Sequence, residues 1–190
     1  MNKQSTSETA SHNLILKGFN SIQTGLYLIL FAYILKNMID GFLSDTSMLG
    51  MMSIEIIEGA GLTFLVLFFL LSGFAIFFSS RRSAKKSGVK MWNKSTRMQM
   101  INFALLCVAA VAFLFFQKNF GYSSYLGISF LFYLGAILII LNAQKRKPLY
   151  LLALISLVLA LISYLIPTYW YPSINIMGMG FVVYGIMIKK

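Results

Sequence analysis

Long apolar runs recur along the chain, separated by short polar stretches, and none alternates apolar with polar residues as a membrane strand would. A bilayer core of about 30 Å takes roughly 20 helical residues. On that measure the pattern predicts six membrane-spanning helices, over residues 22–39, 56–78, 98–116, 122–141, 149–166 and 174–188. The first opens on Gln23 and Thr24 and carries Lys36 near its end, while the second is nearly all Leu, Phe and Ile after Gly59-Ala60-Gly61. Gln117-Lys118-Asn119-Phe120-Gly121 is too polar to fuse the third and fourth. Pro167 closes the fifth, and the sixth is short but lengthens if extended back to Tyr171. The expected fold is therefore an all-α integral membrane bundle of six helices. Residues 1–17 read as a disordered polar tail, and residues 18–190 as the transmembrane domain.

Composition narrows the class further. Of 190 residues, 58% are hydrophobic and 11% charged, and the mean hydropathy is +0.78. A soluble domain has about 25% charged residues, and a chain of this length could not enclose so much apolar surface in water. The opening MNKQSTSETASHN has no apolar core of a signal peptide, so the first apolar run is expected to stay as a span.

The basic residues orient the bundle. With the N-terminus inside and six alternating spans, the cytoplasmic side holds Lys3, Lys17, Arg81, Arg82, Lys85, Lys86, Lys90, Lys94, Arg97, Lys145, Arg146, Lys147, Lys189 and Lys190. Only Lys36 and Lys118 fall outside. Cytoplasmic loops carry this excess, so both termini are expected in the cytoplasm, at the cytoplasmic membrane if the cell is bacterial. Asp40, Asp45, Glu55 and Glu58 sort to the first outer loop or its edges, leaving Glu8 inside. A formal charge of +11 then points to anionic headgroups on the inner leaflet rather than to nucleic acid. Tyr122, Tyr125 and the Tyr169-Trp170-Tyr171 run fall at the outer headgroup level, where amphipathic rings collect.

Three groups are candidate functional residues. Lys36 and Asp40 are four apart at the outer end of the first helix and share a face, as do Glu55 and Glu58 at the start of the second. Together they could form an outward-facing polar site for a cation, an amine or a proton relay. The plainer alternative has Lys36 snorkelling and the acids solvated. Glu58 lies closest to hydrocarbon. The second group is the basic segment RRSAKKSGVKMWNKSTR, residues 81–97. Read as one helix it puts Lys86, Lys90, Lys94 and Arg97 along one side, with Trp92 elsewhere, so that the segment lies on anionic lipid. The third is a small-residue stripe, Ala153, Ser156, Ala160 and Ser163, whose spacing lets another helix approach closely, within the chain or between protomers. Gly127, Gly135, Gly178 and Gly185 allow similar contacts.

Catalytic chemistry has little to draw on. The chain has one histidine, His12, in the polar tail, and one cysteine, Cys107, in the bilayer interior. Neither a Cys–His dyad nor a histidine metal site is expected from such a pair. No H-E-x-x-H, G-x-S-x-G or Walker A pattern occurs, and no cofactor or metal is expected. Size, span number and the long first outer loop look like the substrate-binding subunits of energy-coupling-factor vitamin transporters. Those subunits carry an alanine-x-x-x-alanine motif in the first span, where this chain has Ala32 alone. The leading expectation is a non-catalytic membrane subunit or accessory protein, with a membrane-protein partner or a second copy. The alternative is a small-solute or ion transport component using the outer polar site.

Overall fold

The structure is a computed structural model that describes residues 16, 18–43, 53–86, 94–119, 125–141 and 147–189. It is all-helical: α1 (Phe19–Phe42), α2 (Ile54–Lys86), α3 (Lys94–Asn119), α4 (Leu126–Leu141), α5 (Lys147–Leu165) and α6 (Trp170–Lys189), with a 3-10 turn at Pro167–Tyr169 before α6. Five of these helices are long and apolar enough to cross a membrane. The exception is α4, whose 16 residues extend about 24 Å. Its predicted span began at residue 122, and residues 120–124 lie outside the described ones. So do most of the predicted tail, with His12, and the segment that carries Lys90 and Trp92.

Helix ends follow local chemistry. α2 runs eight residues past its predicted end because Ser79-Ser80-Arg81-Arg82-Ser83-Ala84-Lys85-Lys86 contains neither Gly nor Pro. Pro167 and Pro172 bracket the α5–α6 junction: Pro167 heads the 3-10 turn, and Pro172 sits in the first turn of α6, where its missing N–H costs nothing. α1 starts after Gly18, which takes a φ of 54°, a left-handed value that glycine adopts freely.

Each helix packs antiparallel to the next. Phe31 meets Phe64 at 5.8 Å between ring centroids, Gly73 faces Phe103, and Phe113 meets Tyr133 at 5.7 Å. Ser156 of α5 donates to the Leu131 carbonyl of α4 at 2.7 Å, and Ser163 of α5 donates to Ser173 of α6 at 2.9 Å. α6 then closes the ring against α1, so that neighbours in the chain are neighbours in space and the first helix meets the sixth. Ser21 donates to the Phe181 carbonyl at 2.7 Å, and Tyr184 to the Leu16 carbonyl at 3.2 Å. These pairings bring residues 16–21 beside residues 181–185, so α1 begins at the end of the bundle where α6 finishes. Leu16, in the segment read as tail, is itself buried.

The α1–α6 seam is the closest in the molecule. A Cβ on Gly185 would lie 2.6 Å from Ile22 Cγ1 and 2.7 Å from the Gly18 oxygen. One on Gly178 would lie 2.7 Å from Ile29 Cγ1, and one on Gly25 would run into the Gly178 oxygen. Gly25 on α1 and Gly178 and Gly185 on α6 therefore let the backbones touch. At the centre of the ring Phe130 of α4 packs on Phe68 and Phe69 of α2, with centroids 5.3 and 5.6 Å apart. Phe181 and Met177 of α6 are buried with them.

Candidate functional site

The outer polar group is only partly assembled. The Lys36 ammonium pairs with Asp40 Oδ2 at 2.5 Å and stands 5.5 Å above the centre of the Tyr171 ring. That charge is thus engaged within α1 and by α6. The α1–α2 register puts the start of α2 level with Asp40, with Glu55 exposed and Glu58 half-buried on that helix. Glu58 takes no part in the Lys36 ion pair. Aromatic side chains gather at this same end, where Tyr125 lies 6.2 Å from Tyr164 and Trp170 packs against Tyr171.

The basic segment is not one surface helix. Residues 81–86 complete α2 and residues 94–97 open α3, and these two helices run antiparallel. Lys86 and Lys94 therefore stand on different helices, and the four-cation stripe expected along a single face does not form. What the fold brings to one end of the bundle instead is Arg81, Arg82 and Lys85 from α2, Arg97 from α3 and Lys147 from α5, all exposed.

The small-residue stripe faces inward. Ser156 and Ser163 are 0% exposed, and Ala153 and Ala160 nearly so. Ser156 holds α4 and Ser163 holds α6, while Gly135 packs against Leu157 and the Ala153 carbonyl. The stripe is therefore spent inside the chain, and the alternative that it joins two protomers is removed by its burial.

Three cavities are lined without any of the four outer polar residues. The smallest, about 20 Å³, lies on the bundle axis near Thr24, Ser72 and Phe181. Thr24 donates to the Asn20 carbonyl at 2.9 Å, whereas the buried Ser72 hydroxyl has no hydrogen-bond partner. A second, of about 540 Å³, is a side groove between α4 and α5 near Tyr133 and Tyr164. The largest, about 680 Å³, is a cleft on the flank of the molecule between α2 and α3. Val66, Leu70 and Phe74 form one wall, and Ala104, Val108 and Ala112 the other. Both sets step by four residues, and so keep to one helix face.

The cleft has a local cause. α2 and α3 are the most loosely packed consecutive pair, held where the Phe103 ring reaches 3.2 Å from the Cβ position of Gly73. Beyond that contact along α3 the small residues Ala104 and Ala112 leave space unfilled. Cys107 lines the same wall, half-buried. Among the described lining residues none carries an ionisable oxygen or nitrogen, and the Cys107 thiol is the one polar group, so the cleft can hold an apolar group. Sequence reading missed it, although the 104, 108, 112 spacing of small residues was there to be found.

No protein family matches the chain, and neither the curated proteins nor the solved structures contain a match to it.

Proposed function

We propose that the chain is a non-catalytic integral membrane subunit or accessory protein that works sideways, taking its ligand or partner from the plane of the bilayer into the α2–α3 cleft. One observation supports this above the others: the widest of the three cavities described opens on the flank and is apolar, while the axis is filled by Phe68, Phe69, Phe130 and Phe181 around a cavity of about 20 Å³. A conduit for a polar solute needs polar groups along its path. Here the buried hydroxyls of Ser21, Ser156 and Ser163 are occupied in joining helices.

In this reading all six helices cross the membrane, with both termini in the cytoplasm. The antiparallel α1 and α6 support an even number of crossings. The exposed cations at one end and the aromatic cluster at the other match the usual charge and aromatic asymmetry. α4 spans by being covered at its ends by its neighbours, since about 24 Å is short of the hydrocarbon thickness.

Photocrosslinking in native membranes tests the proposal. A benzophenone side chain at Val108, exposed in the cleft, is expected to give a discrete adduct, and one at Leu154, exposed on α5, a diffuse smear. Equal behaviour at both positions refutes a lateral site. So does solute uptake by reconstituted vesicles that disappears in Glu58→Gln.

A further inference from the structure

The cleft has a charged mouth. Gly73 and Phe103 lie opposite each other in an antiparallel pair, so α2 beyond residue 77 and α3 before residue 100 leave the cleft together. Phe77 lines the cleft and Arg81 follows it by one turn; Met100 lines the facing wall and Arg97 precedes it by one turn. Both guanidinium side chains are exposed. The same register sets Ser80 and Thr96 level with each other, both buried, as the polar floor of that end.

The dimensions also select an occupant. The lining runs from Val66 to Phe77 on α2 and from Met100 to Phe115 on α3, which is about 16 Å and about 22 Å of helix. The α2 wall matches the hydrocarbon depth of a single leaflet, about 15 Å, and the longer α3 wall still stops short of the roughly 30 Å that a docked transmembrane helix would need. An apolar channel one leaflet deep, ending at two arginines, matches an acyl chain attached to a negatively charged headgroup. Arginine suits this place because its planar fork can take phosphate oxygens in pairs.

We infer that the α2–α3 cleft is a binding site for one anionic phospholipid of the cytoplasmic leaflet, its acyl chain against Gly73 and Ala104 and its headgroup between Arg81 and Arg97. The inference rests on the lateral-site reading above and names its ligand class.

The test uses the full-length chain in a neutral detergent, with bound lipid counted by native mass spectrometry during titration with phosphatidylglycerol or phosphatidylcholine. Each cation near an anionic surface is worth about fivefold in affinity, so two give roughly 25-fold. The expected result is one phosphatidylglycerol per chain, held about 25-fold more tightly than phosphatidylcholine. Arg81→Gln with Arg97→Gln is expected to bring the two lipids within about twofold of each other. Lys147→Gln, at the same end but on α5, is expected to change nothing. Ala104→Trp fills an exposed cleft position and is expected to expel both lipids while the melting temperature holds.

Equal affinity for the two lipids overturns the inference, and so does an effect of Lys147→Gln as large as that of the arginine pair. Lipid retention that survives Ala104→Trp overturns it as well. If the Val108 crosslink captures a protein or a second copy of this chain in place of lipid, the anionic-lipid inference falls and the lateral site stands. If Val108 gives no discrete adduct, both fall.

Discussion

Gly25→Ala adds one methyl group at the tightest point of the bundle, and its cost can be worked through. The new carbon would meet the Gly178 carbonyl oxygen, and would lie 2.9 Å from Val182 Cγ2 and 3.0 Å from Phe181 Cβ. The first obstacle is backbone, which cannot rotate away, so α1 and α6 must separate. Overpacking of this kind costs about 1–3 kcal/mol. Separation also stretches the bonds from Ser21 to the Phe181 carbonyl and from Tyr184 to the Leu16 carbonyl. Interhelical hydrogen bonds in membrane proteins average about 0.6 kcal/mol each, so about 1.2 kcal/mol goes with them. Against this, alanine favours a helix over glycine by about 1 kcal/mol. The net expectation is a loss of about 1–3 kcal/mol. Gly61→Ala is the matched control, because its Cβ would meet only the end of the Leu35 side chain, at 3.4 Å. It is expected to be neutral, or stabilising by up to about 1 kcal/mol. Reversible unfolding of both variants in mixed micelles with increasing dodecyl sulfate measures the difference. If Gly25→Ala proves as stable as Gly61→Ala, the seam is not rigid and the reasoning about it is wrong.

Other expectations follow from the same packing. Ser156→Ala deletes the bond to the Leu131 carbonyl and should cost about 0.6–1.7 kcal/mol, whereas Ser156→Leu should abolish folding, seen as loss of a monodisperse peak in gel filtration. Phe130→Ala opens a void beside Phe68 and Phe69 and should lower stability by about 3 kcal/mol in the same micelle titration. Ser72→Ala removes a buried hydroxyl without a partner and should leave stability unchanged or raise it by up to about 1 kcal/mol. Asp40→Asn breaks an exposed ion pair and should give no measurable change in melting temperature, as expected for surface pairs. Cys107, half-buried in the cleft wall, should resist a membrane-impermeant maleimide in the native protein and react after denaturation.

Helix number and approximate limits were legible because lipid imposes length on apolar runs, and all six runs became helices. Which face of each helix turns inward was harder to read, for a physical reason. In a soluble helix the buried face is the oily one, but a helix surrounded by lipid is oily all round, and its inner face is marked by small and weakly polar residues instead. α1 illustrates this: Ser21, Thr24, Gly25 and Ala32 are buried, while Leu26, Leu30 and Tyr33 are exposed. The α5 stripe was found by that signal. Gly178 and Gly185 carry the same signal on α6, and Gly25 answers them on α1.

The functional candidates fared differently because charge is visible in a sequence and shape is not. Lys36 and Asp40 pair as their spacing requires. The basic segment misled because Lys86 and Arg97 were counted along one helix, when the chain reverses between them and the cations divide between α2 and α3. The α2–α3 cleft was invisible to any count of apolar residues, since its walls are as hydrophobic as everything around them. Only the run of Ala104, Val108 and Ala112 set it apart.

The seam between α1 and α6 has a consequence for biogenesis. The hydrogen-bonded pairs across it are far apart in the chain, Ser21 and Phe181 by 160 residues and Leu16 and Tyr184 by 168. The segment that leaves the ribosome early therefore keeps its Gly25 face uncovered until the sixth helix has been made. During that interval α1 lacks the longest of its helix contacts, the one to α6. A chain interrupted before Gly178 never acquires the clasp that hides this face, and its removal rather than its storage is the expected fate.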